Sequence, residues 1–124
     1  MSEYIIDKKE EVNKLIERLK LFSFDALIKN QHYEYSLLEK NTDEKMIRET
    51  YNKFDLINLI KKRIRPNGKV SYDLFYELKD NTFVVITISF QTSPPTIINA
   101  FHAKRDFKKF RKSLSRNYRI NPSF

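Results

Sequence analysis

Leu56-Ile57-Asn58-Leu59-Ile60-Lys61-Lys62-Arg63-Ile64-Arg65-Pro66-Asn67-Gly68-Lys69-Val70-Ser71-Tyr72-Asp73-Leu74-Phe75-Tyr76-Glu77-Leu78 decides the fold class of this chain. Two β-prone runs, Leu56 to Arg65 and Ser71 to Leu78, flank Pro66-Asn67-Gly68-Lys69. Proline fixes the entry to a reverse turn, and the only glycine of the chain supplies the positive φ that such a turn needs. A connection this short forces the two strands to be antiparallel neighbours. In the second run Tyr72, Leu74, Tyr76 and Leu78 fall on one face, and Asp73 and Glu77 on the other.

Towards the C-terminus the same grammar repeats. Asp80-Asn81 marks a second tight turn, and Thr82 to Phe90 is the most β-prone segment, which predicts a central strand. Thr92-Ser93-Pro94-Pro95 breaks the pairing, because proline has no N–H to give. Thr96 to Ala103 reads as a fourth strand, and residues 105–116 as a helix with Phe107, Phe110 and Leu114 on one stripe.

Towards the N-terminus the period changes to that of a helix. Val12, Leu15, Ile16 and Leu19 stand at i, i+3, i+4 and i+7, which predicts a helix over about 7–21 with Asp7 at its cap. Phe24, Leu27, Ile28, Tyr35 and Leu38 extend the pattern from 24 to 40, with Asn30-Gln31 as a candidate break. Asn41-Thr42-Asp43-Glu44 is a cap signal with Glu44 three residues after Asn41, opening a third helix over 43–54 that turns Met46, Ile47, Tyr51 and Phe54 inward. The expected architecture is α+β: N-terminal helices on one face of a four-stranded antiparallel meander, a basic C-terminal helix, and a second sheet face open to a ligand. The expected organisation is one domain over 1–124, with a leading helical region 1–22, a core 24–116 and a tail 117–124.

Composition narrows the function. Hydrophobic residues make up 40% and aromatics 14%, with 10 Phe and 7 Tyr, enough for a packed core. Cysteine is absent, which excludes disulfides, thiolate catalysis and cysteine-bound metal. One glycine excludes a glycine-rich phosphate loop. Two distant histidines without cysteines argue against zinc, so neither a metal nor an organic cofactor is expected. No apolar run is long enough to span a membrane, and no signal-peptide layout opens the chain, so a cytoplasmic location is expected. Residues 1–55 carry 10 Lys/Arg and 12 Asp/Glu (−2), while residues 56–124 carry 14 and 4 (+10). Charge concentrated in this way favours a polyanion, because each neutralised phosphate releases counterions.

The side chains that could do chemistry are basic or aromatic. Metal-free RNA cleavage needs a base for the 2′-hydroxyl, cations for the pentacoordinate phosphate and an acid for the leaving oxygen. His102 shares a strand face with Ala100 and Lys104. Lys61, Arg63 and Arg65 share a face of the first strand, and Tyr72 and Tyr76 a face of the next. Lys108, Lys109, Arg111 and Lys112 could hold phosphate without reading sequence. Each has a plainer reading. Lysines at a strand edge discourage aggregation, the two tyrosines suit a core, and basic residues on a terminal helix suit a solvated face. His32 could cap its helical segment as readily as catalyse, and Asp73 and Glu77 could form a carboxylate pair.

Taken together, the His32 segment, the basic strand, the Tyr-bearing strand, and Ile97-Ile98-Asn99-Ala100-Phe101-His102-Ala103-Lys104-Arg105 running into a basic helix resemble the small toxin ribonucleases of the RelE and BrnT type. That fold group also contains barnase and the colicin-type tRNases. The resemblance spans about 24–116 in element order. It implies a helix-packed twisted antiparallel sheet, metal-independent cleavage of mRNA or tRNA, sometimes on the ribosome, and an acidic antitoxin wrapped over the basic surface. The positions that would match its catalytic set are Arg63, Arg65, Tyr72, His102, Arg105 and Tyr118. On this reading His102 is general acid or base, the three arginines stabilise the phosphorane, and Tyr72 or Tyr76 orients or stacks a base. Lys61, Lys104 and the basic helix bind the backbone. The alternative is a nucleic-acid-binding module without catalysis that uses the same basic sheet face.

Overall fold

A computed structural model of the chain describes residues 2–118, with side chains described to Leu114. The order of elements is β1 (Ser2–Ile6), α1 (Lys9–Leu19), β2 (Ile28–Lys29), α2 (Gln31–Glu39), α3 (Glu44–Tyr51), β3 (Ile57–Ile64), β4 (Val70–Glu77), β5 (Phe83–Ser89), β6 (Thr96–Ala103) and α4 (Phe107–Tyr118). Short 3-10 turns at Phe24–Ala26 and Phe54–Leu56 link the helical region to the sheet. The expected tail 117–124 and the role given to Tyr118 lie outside the described side chains.

The fold is α+β, and the meander β3-β4-β5-β6 is antiparallel as the turn signals require. Arg65 N–H donates to the Lys69 carbonyl (2.9 Å) and Gly68 takes φ 83° in the first turn. Asn81 takes φ 70° in the second. The sheet nevertheless has six strands, in the order β1-β3-β4-β5-β6-β2. β1 pairs antiparallel with β3, and the two residues of β2 pair parallel with the start of β6, so the sheet is mixed.

Several local expectations change. α1 begins at Lys9, and its first turn has no side-chain cap, so Asp7 does not serve as one. The stretch 24–40 is not one helix: Asn30 accepts the Tyr33 N–H (2.9 Å) and starts α2 afresh. That resets the period, so Phe24 and Leu27 are buried while Ile28, Tyr35 and Leu38 are exposed. Asp43 rather than Asn41 caps α3, accepting the Lys45 N–H (3.0 Å), and Asn41 takes φ 48° in the turn before it.

Both faces of the sheet are covered. On one face α1, α2 and α3 pack against Ile60, Leu74, Tyr76, Val84, Ile86, Ile88, Ile97 and Ala100. On the other, Phe107, Phe110 and Leu114 of α4 pack against Ile5, Leu59, Phe75, Phe83 and Val85. Phe110 stacks on Phe83 with centroids 4.7 Å apart. The expectation of an uncovered second face therefore fails over its apolar half. Among the described residues the α4 contact is made by the apolar half; in the polar half, at the other end of β3, β4 and β5, Ser71, Asp73 and Thr87 are also buried.

The outer edge of β6 is closed by side chains where β2 no longer reaches. Ser36 Oγ accepts the Ala100 N–H (3.2 Å) and Thr42 Oγ1 accepts the His102 N–H (3.2 Å). The otherwise orphaned edge donors are thereby met.

Candidate functional site: basic and polar clusters

The strand registers sort the expected site residues onto different surfaces. Residues directly paired across antiparallel strands share a face. Lys61, Asp73, Thr87 and Asn99 form one rung, and Glu3, Arg63 and Ser71 the next, on the α4 side of the sheet. Arg63 Nη2 donates to Asp73 Oδ2 (2.8 Å), and Thr87 Oγ1 donates to Asp73 Oδ1 (2.8 Å). Glu3 Oε2 lies 3.5 Å from Arg63 Nε. The Asp73 side chain is 5% exposed and that of Arg63 33%. Asp73 thus pairs with Arg63 and not with Glu77. Among the described residues Arg63 Nε and Ser71 Oγ are both buried without a hydrogen-bond partner, and for Arg63 Nε the Glu3 carboxylate is an ion-pair neighbour only.

His102 lies on the opposite face. It pairs with Val84, beside Ala100, on the side covered by the N-terminal helices. Its Nε2 stands 2.8 Å from Thr82 Oγ1, and Thr82 Oγ1 stands 2.6 Å from Asp80 Oδ1. A carboxylate only accepts, so the single threonine proton goes to Asp80. The imidazole Nε2–H then donates to Thr82, which leaves Nδ1 as the basic ring nitrogen. The hydroxyl and backbone N–H of Thr82 hold the Asp80 carboxyl below its ordinary pKa. His102 and Arg63 therefore do not converge, because the sheet separates them.

The remaining residues divide further. Arg65 is exposed in the β3–β4 turn. Tyr72 faces α1 and meets Phe90 edge to face (5.7 Å). Tyr76 is fully buried, with its hydroxyl donating to the Tyr51 carbonyl (2.9 Å), so it offers no ring to a nucleotide. Burial is also what pushes its phenol pKa well above the ordinary value. His32 is exposed in the first turn of α2, whose capping side chain is Asn30.

The basic residues after β6 do stay together. Lys104, Arg105, Lys108, Lys109 and Lys112 are exposed and Arg111 is half-buried. Asp106 is the only acidic residue after Asp80, and it is engaged at the start of α4, where its Oδ1 accepts the Lys109 N–H (3.1 Å). The Arg105 guanidinium lies 4.8 Å from the Phe110 ring centroid and 5.9 Å from that of Phe83. Sequence reasoning named these cations but missed Thr82 and Asp80, whose signal was a turn placed opposite a strand-end histidine. It also missed Glu3, because β1 was not foreseen.

No protein-family model, curated protein or solved structure matches this chain. Among the described residues, no helix is long and apolar enough to cross a membrane.

Proposed function

We propose that this protein binds single-stranded RNA along the outer side of α4 and the connection that leads into it. The observation that carries the reading is the run Lys104 to Lys112, with six cations and one acid that is already engaged in capping. Cations on one side of a helix whose other side is packed can hold successive phosphates. Arg105 adds a cation beside an aromatic ring, since its guanidinium lies 4.8 Å from the Phe110 centroid, and an exposed guanidinium can also stack an unpaired base. The sheet itself is not the binding surface in this reading, since helices cover both its faces over the apolar core.

The test is fluorescence anisotropy with labelled RNA at several salt concentrations. Lys108→Glu/Lys109→Glu/Lys112→Glu is expected to weaken binding by about 30-fold or more, roughly half a decade for each phosphate contact reversed. The same number of reversals at Lys20, Lys45 and Lys53 is expected to change it little. Equal losses in both variants would remove the assignment to α4.

Cleavage is a second reading, favoured by the Asp80–Thr82–His102 chain. That chain fixes one imidazole tautomer and leaves Nδ1 as the ring nitrogen that would exchange protons with RNA. In this reading the protein is a metal-independent ribonuclease of toxin type, and an acidic partner protein that covers α4 would silence it. His102→Ala is expected to abolish cleavage while leaving anisotropy binding intact. RNA that stays whole with the unaltered protein would leave the binding role alone standing.

A further inference from the structure

On the face of the sheet opposite α4, a cleft of about 420 Å³ opens between α1 and the β1–β3–β4 edge. Its floor is apolar, made by Ile6, Leu15 and Ile64. Across three strands a single rung reads Tyr4–Lys62–Tyr72, since Tyr4 pairs with Lys62 and Lys62 with Tyr72. Directly paired positions on one face stand about 5 Å apart, so Lys62 is flanked by a tyrosine on each neighbouring strand. Tyr72 is held by the edge-to-face contact with Phe90, whose ring in turn lies 3.9 Å from the Arg18 guanidinium. From α1, Lys14 faces the same opening, and Glu11 is the only acid lining it.

Lys62 is the informative residue. It is half-buried, yet among the described residues no ion pair reaches it. Lys14 likewise pairs with no carboxylate there, so two cations face one carboxylate across an apolar, aromatic-walled space. Such a space suits a ligand that combines a planar ring with an anionic group. The volume lies in the range of small-molecule sites rather than of a bound polymer.

We propose that this cleft binds a nucleoside monophosphate, with the base against Tyr72 and the phosphate between Lys14 and Lys62. The site is separate from the α4 surface and does not depend on the RNA reading.

Titration of the 124-residue protein with AMP, GMP, CMP and UMP, followed by amide chemical shifts, tests it. At least one nucleotide is expected to shift signals from β1, β3 and α1 in a saturable way, and adenosine or inorganic phosphate alone to bind about tenfold more weakly. Lys62→Gln is expected to weaken the nucleotide by about tenfold or more, the cost of one charged contact. Tyr72→Leu, which keeps an apolar side chain against the core, is expected to reduce binding while circular dichroism shows the fold intact. The Lys108→Glu/Lys109→Glu/Lys112→Glu protein is expected to bind the nucleotide normally. Shifts confined to α4, or equal binding by inorganic phosphate and nucleotide, or no saturable binding by any of the four, would each overturn the proposal.

Discussion

Asp73 shows what one strand position can demand. Its carboxylate is buried and is held by Arg63 and Thr87. Removing one member of a buried pair strands the other, although Arg63 keeps a third of its side chain in solvent, which softens the penalty. Asp73→Ala is expected to lower stability by about 2–3 kcal/mol in urea unfolding. Ser71 makes the opposite case, because among the described residues its buried hydroxyl has no hydrogen-bond partner. Ser71→Ala is expected to be neutral or to stabilise by up to about 1 kcal/mol in the same assay. The buried tyrosines set an alkaline limit. Burial raises the phenol pKa of Tyr33, Tyr51 and Tyr76, that of Tyr51 to about 12, and Glu44 raises Tyr33 further as its hydrogen-bond acceptor. An unfolded tyrosine ionises near pH 10. The stabilisation is therefore complete below that pH and is lost as pH rises towards the folded values. The melting temperature is expected to fall steeply above about pH 10, with the tyrosinate absorbance of these three residues appearing together with unfolding.

At the scale of elements, β1 protects a long basic strand. Without it, β3 would present eight residues of unpaired edge. Deleting residues 1–7 is expected to produce concentration-dependent self-association, visible by light scattering on a sizing column, where the full chain is expected to elute without it. The four meander strands were legible because alternating runs lie between Pro66-Asn67-Gly68, Asp80-Asn81 and Pro94-Pro95, each a turn with a physical cause. β1 was not, because Tyr4-Ile5-Ile6 has no turn signal before it and merges into the helix that follows. The two residues of β2 are too few to show any period. The faces were only half legible. Lys61 and Arg63 do share one, but the sequence does not reveal the irregularities near Ile57–Leu59 in β3 and at Thr87–Ile88 in the β5–β6 pairing, which shift the phase of the rungs. With that phase unknown, His102 and Arg63 could be imagined together, although the sheet lies between them.

For the whole molecule, the division of charge in the sequence becomes a division in space. The acidic N-terminal half supplies the helices on one side of the sheet, and the basic tail supplies α4 on the other. Polyanion binding at α4 should then follow counterion release. With about four to six phosphates neutralised on a single strand, log affinity is expected to fall against log salt with a slope of roughly −3 to −4. A slope near zero would mean that the basic surface does not govern binding. Lys108 and Lys112 repel each other at i, i+4, so a bound polyanion is also expected to raise the melting temperature.

The closure of the outer edge of β6 gives this chain an internal reporter. The amide protons of Ala100 and His102 are held by the hydroxyls of Ser36 and Thr42, while their neighbours along the strand are held by β5. Exchange of those two protons with deuterated solvent therefore measures how often the α2 region lifts away, independently of whether the strands separate.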